Sequence, residues 1–156
     1  MTASHFSPDT WERIQLLNRH EVEYVLVGGE AVIHYGYARL TGDVDVFYRN
    51  DEANTERLYR ALVDFWGGDV PSVDRADELR PPGQVLQFGR PPNRIDLLNT
   101  LTGVLFSEAW VSRETVRADD GTLVPFISLD LLIQNKEATG RPKDIDDARF
   151  LRDVSR

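Results

Sequence analysis

The sequence contains no cysteine, which excludes disulfides, thiolate nucleophiles and sulfur-rich zinc sites and agrees with the cytoplasmic location expected for it. It has no apolar run near the roughly 18 residues that span a bilayer, so no membrane partner is expected. Residues 1–7 lack the basic start and apolar stretch of a secretory signal. Basic residues are in the minority, 18 against 26 acidic, giving a net charge of −8. A surface of that sign repels nucleic acid in general and excludes a broad non-specific binder. It leaves room for a local basic patch, or for carboxylates gathered around a cation. No serine sits in a strained, glycine-flanked turn, so a Ser-His-Asp hydrolase has no support. Gly28-Gly29-Glu30 is not the Gly-x-Gly-x-x-Gly of a dinucleotide fold. There is no internal repeat, low-complexity segment or interdomain linker.

What is present fits one globular domain over residues 1–156, with 41% hydrophobic and 28% charged residues. Ser7-Pro8 starts a helix over 8–20, with Trp11, Ile14 and Leu17 on one stripe. Tyr24 to Val27 reads as a buried strand halted by Gly28-Gly29, with a short helix from Glu30 to Tyr37. A strand begins at Asp43, and a helix runs from Asp51 to Trp66, stopped by Gly67-Gly68. Residues 69–83 read as a loop with at most a short helical turn. Two strands follow, 85–88 and 94–98, then a helical turn over 106–113 and a hairpin around Asp119-Asp120-Gly121. Helices over 129–138 and 142–154 close the chain. The expected class is α/β or α+β, a mixed sheet flanked by helices.

The residues that carry chemistry lie near the glycines. In a strand, positions two apart share a face, so Asp43 and Asp45 present two carboxylates side by side. Such like charges repel unless a cation lies between them, and hard oxygen ligands on a rigid strand suit Mg²⁺. Asp96, inside the apolar run Ile95-Asp96-Leu97-Leu98, repeats the signal. If its strand neighbours that of Asp43, three carboxylates converge. A strand ending in Gly28-Gly29 and opening a helix lets backbone amides approach phosphate. Each feature alone has a plain reading: a solvated strand end, a turn, an Asp96 paired with Arg94 or Arg90. Their order and spacing together point to phosphoryl or nucleotidyl transfer.

Gly28-Gly29, then Arg39-x-Thr41-x-Asp43-x-Asp45, then Asp96 on a later strand, resembles the polymerase-β-like nucleotidyltransferase superfamily. More narrowly, the chain is similar to small stand-alone members: AbiEii-type and related toxin–antitoxin enzymes, and lincosamide-type minimal antibiotic nucleotidyltransferases. Val124 to Ser128, Lys136 and Lys143-Asp144-x-x-Asp147 extend the resemblance over roughly residues 22–151. It implies a minimal nucleotidyltransferase core with C-terminal helices, two Mg²⁺ ions, and an NTP such as ATP as donor. NMP would pass to an acceptor hydroxyl with loss of pyrophosphate. Asp43 and Asp45 would bind metal, Asp96 would bind metal or take the acceptor proton, and Gly28 and Gly29 would hold the triphosphate. Arg39 and Thr41 would touch phosphate, although a surface ion pair explains Arg39 equally well.

The last two helices add to this. Leu129, Leu132, Ile133 and Lys136 follow i, i+3, i+4, i+7, so Lys136 lies on a buried stripe and must snorkel out or meet an anion. The resemblance places it near the nucleotide phosphates. Asp147 shares an inward stripe with Asp144 and reads as a supporting partner of the site. Asp144, in the first turn, reads as a helix-dipole acid, and His34 as a core histidine. The acceptor could be the 3′ end of tRNA (toxin-like), a drug hydroxyl, or a partner protein (antitoxin-like). The size of the chain suggests a homodimer or cognate partner completing the cleft. A nucleotide- or partner-binding module without catalysis is the alternative of a different class.

Overall fold

The computed structural model describes residues 6–36, 43–91 and 93–155. In chain order the elements are α1 (Pro8–Arg19), β1 (Tyr24–Val27), α2 (Gly28–His34), β2 (Asp43–Tyr48), α3 (Glu52–Trp66), β3 (Val85–Phe88), β4 (Arg94–Leu98), α4 (Phe106–Ser112), β5 (Glu114–Arg117), β6 (Leu123–Phe126), α5 (Leu129–Thr139) and α6 (Pro142–Val154). The segment 69–83 carries one 3-10 turn, Ala76–Leu79. The architecture is the expected mixed α+β one. Six strands form one sheet in the order β3-β4-β2-β1-β6-β5. β2 with β4 and β1 with β6 are parallel; the remaining neighbours are antiparallel.

Local chemistry sets the ends of the helices. The Ser7 hydroxyl accepts from the Thr10 amide at 3.3 Å, and the Ser128 hydroxyl from that of Leu131 at the same distance. Asp51 caps α3 through the Asn54 amide at 2.8 Å, and Gly67, at φ 70°, ends that helix in the left-handed region. Asp120 joins the β5–β6 hairpin to α1: its carboxylate accepts from the Thr122 amide and the Trp11 indole, both at 2.9 Å.

Two faces of the sheet have different tasks. α1 and α3 pack over Ile95 and Leu97, where Leu16, Leu17, Ala61 and Leu62 close an apolar layer. Burying each large aliphatic side chain there stabilises the fold by about 1.5–3 kcal/mol. Asn54 is fully buried within this region, and its amide bonds Glu23 on both its N–H and its carbonyl and also the Arg49 carbonyl. That ties the entry to β1 to the exit from β2. The opposite face carries the alternate residues Asp43, Asp45, Arg94 and Asp96, and α5 and α6 stand across a cavity from it. Among the described residues no helix is long and apolar enough to cross a membrane.

Candidate active site

The parallel register of β2 and β4 decides the geometry. Asp43 lies beside Arg94 and Asp45 beside Asp96. Because alternate residues of a strand share a face, these four side chains form a two-by-two patch. One carboxylate oxygen from each of Asp43, Asp45 and Asp96 lies within 4.8 Å of the others. The strand carrying Asp96 is thus a direct neighbour of the strand carrying the Asp-x-Asp pair, as convergence of the three acids requires.

The electrostatics of the patch are unbalanced. Arg94 donates to both oxygens of Asp96, each at 3.0 Å, so the paired reading of Asp96 and its place in the acidic cluster are both realised. Asp45 and Asp96 also lie side by side in the register, close enough to repel when both are ionised. Burial first, then the charges of Asp43 and Asp96, push the Asp45 carboxyl up to about 7; Lys136 acts weakly in the other direction. Among the four described side chains of the patch, one guanidinium faces three carboxyls. The oxygen-only donor set, the short separations and the resistance of Asp45 to ionising all suit a divalent cation.

Gly28 makes this arrangement sterically feasible. It sits at φ +65°, and a Cβ there would lie 2.1 Å from Asp45 Oδ2. Any side chain would displace the central carboxylate. The two glycines fall inside the first turn of α2 rather than before it, because glycine tolerates the left-handed backbone at that position. Both line a cavity of about 600 Å³ that also takes in Asp43, Asp45 and Asp96. The loop Thr100–Thr102 and the α5–α6 turn, with Asn135, Lys136, Thr139, Arg141, Lys143 and Asp144, close its other sides.

Lys136 faces two protein carboxylates. It is 6% exposed, with Nζ 3.1 Å from Asp144 and 3.3 Å from Asp147. Asp144 sits in the first turn of α6, as expected of a helix-dipole acid, and α5 bonds it as well. It is buried and accepts from Thr139 Oγ1 at 2.6 Å and Arg141 Nε at 2.7 Å as well as from Lys136. Burial raises its carboxyl, but the bonds from Thr139, Lys136 and Arg141 outweigh this and hold it below the usual range. His34 stacks on Phe126 with ring centroids 4.1 Å apart, has Nε2 3.2 Å from Glu114, and does not line the cavity. Arg39 and Thr41 lie outside the described residues. Sequence reasoning passed over Thr100, Thr102 and Asn135.

A family model described as "Nucleotidyl transferase of unknown function" (DUF2204) matches residues 8–156. The chain belongs to this family. No curated protein matches the sequence. The region matched by the DUF2204 model begins at the first residue of α1 and includes every element of the sheet, the three carboxylates, the glycine pair and the α5–α6 cluster.

Proposed function

We propose that the protein is a magnesium-dependent nucleotidyltransferase that passes NMP from an NTP to an acceptor hydroxyl. The observation that carries this reading is the clustering of Asp43, Asp45 and Asp96 within 4.8 Å beside Gly28, where a Cβ would lie 2.1 Å from Asp45 Oδ2. Membership of a nucleotidyl transferase family supports it.

In this reading Asp43, Asp45 and Asp96 would hold Mg²⁺, two ions by resemblance to the superfamily. When bound, the metal neutralises the triphosphate and favours the ionised acceptor hydroxyl. The chain's own residues do the positioning. Arg94 fixes the orientation of Asp96, so that its oxygens meet those of Asp45. Gly28 and Gly29 admit the triphosphate close to the backbone beside Asp45. Lys136 is committed to Asp144 and Asp147 and supplies positive potential to the cavity wall rather than a free ammonium. Lys143, exposed on the same wall, is the cation best placed to follow the phosphates, and Asp147 supports the site through Lys136.

Among acceptors, the 3′ end of tRNA rests on the resemblance to toxin-type enzymes. The charges of α6 add little to it, since Arg141 pairs with Asp144 and Arg152 with Glu137. A drug hydroxyl and a partner protein are the other acceptors to offer. Labelled NTP, Mg²⁺ and these three acceptors test the function together. Incorporation by the wild type that is lost in Asp43→Ala supports it. NTP binding with no pyrophosphate release on any acceptor would point instead to a non-catalytic binding module.

A further inference from the structure

The cavity has walls of three kinds. The strands present carboxylates, and the α5–α6 turn presents Lys136, Arg141 and Lys143. Between them, Thr100, Thr102 and Asn135 form a polar stretch without formal charge, next to Leu98 and Leu101. Metal and triphosphate belong with the charged walls. A flat, largely apolar group with polar edges belongs on the neutral one.

Asn135 is the fixed element of that wall. It is 6% exposed in the interior of α5, where asparagine is a weak helix former. Its Nδ2 donates to the Thr102 carbonyl at 2.9 Å, which sets which way the amide faces. Next to it, Gln134 Nε2 donates to the Gly103 carbonyl at 2.6 Å, so the loop is held to the helix by two residues. Gly103 fits the gap, since a Cβ there would lie 2.7 Å from that of Ala138. With Nδ2 committed, Asn135 Oδ1 is a rigid acceptor that makes no bond to any other described residue.

We propose that Asn135 selects the donor nucleotide, its Oδ1 accepting a hydrogen bond from the exocyclic amino group of adenine or cytosine. Guanine and uracil present a carbonyl at the corresponding edge position, oxygen against oxygen. The inference rests on the nucleotidyltransferase reading above and adds a base preference to it.

Equilibrium binding of the Mg²⁺ complexes of ATP, CTP, GTP and UTP tests it on the full chain. The wild type is expected to favour ATP and CTP by about five- to tenfold, the worth of one neutral hydrogen bond. Asn135→Ala should bring the four nucleotides to similar affinities. Asn135→Asp loses the bond to Thr102 that orients Oδ1 and sets a carboxylate against that carbonyl, so it should lose the ratio as well. Gln134→Ala loosens the same loop without touching Oδ1 and should keep the ratio; thermal melting checks that each variant folds. A wild type that binds all four alike overturns the role of Asn135, as does a preference that survives Asn135→Ala or collapses equally in Gln134→Ala. A protein that binds none of the four overturns the nucleotidyltransferase reading itself.

Discussion

The carboxylates of β2 and β4 line the same cavity as Asp144 of α6, and the two groups of acids meet different surroundings. Asp144 and Asp147 are more deeply buried than Asp43 and Asp45, yet Lys136 lies between them, and Thr139 and Arg141 complete the bonding of Asp144. Among the described residues Arg94 bonds Asp96, and burial together with the neighbouring acids pushes the Asp45 carboxyl up to about 7. Residue type and burial therefore do not separate a structural acid from a ligand. The local sum of charge does. A cluster that is neutral within itself stabilises the fold, whereas one left negative is strained until a cation arrives.

Removing the middle of the balanced cluster should have the largest effect. Lys136→Ala leaves two buried carboxylates without their shared ammonium and is expected to lower unfolding free energy by about 3–5 kcal/mol. Urea denaturation would measure it. A loss below about 1 kcal/mol would place Lys136 among the ligand-binding groups instead. In the unbalanced cluster the roles reverse. Asp43→Ala should lower nucleotide transfer at least about a hundredfold while leaving stability near that of the wild type. Labelled transfer and melting, run in parallel, check both halves.

Gly28→Ala sharpens the contrast, because it acts on Asp45 through space and not through charge. Its Cβ collides with Oδ2 and its φ is unfavourable for alanine, so a loss of about 1–3 kcal/mol and weaker metal binding are expected together. The last effect has the opposite sign. An unfolded aspartate releases its proton near 3.8, the folded Asp45 near 7. Between these values the folded state binds more protons, so metal-free stability falls as pH rises and is lowest above about pH 7. Asp45→Asn should therefore stabilise the metal-free protein by about 1–3 kcal/mol at around pH 8 and by little near pH 4. Melting curves across that range decide it.

Much of this was legible in the sequence, for identifiable reasons. Helix starts at Ser7, Asp51 and Ser128 are local chemistry, and each hydroxyl or carboxylate caps as its residue type predicts. The shared face of Asp43 and Asp45 follows from strand alternation alone. Which strand lies beside β2 does not: the pairing of Asp45 with Asp96 joins residues 51 positions apart, beyond the reach of local pattern. The place of Asp144 in the first turn was legible from its distance to Pro142, but what α5 places against it was not. Asn135 was silent for the same reason, since the carbonyl it bonds belongs to a loop 33 positions away.

Titration calorimetry with Mn²⁺, a close substitute for Mg²⁺ at oxygen sites, addresses the carboxylate cluster directly. Saturable binding by the wild type, abolished by Asp43→Asn and by Asp96→Asn but retained by Asp144→Asn, is the expected pattern. Binding that survives both strand substitutions, or no binding by the wild type at all, would contradict it.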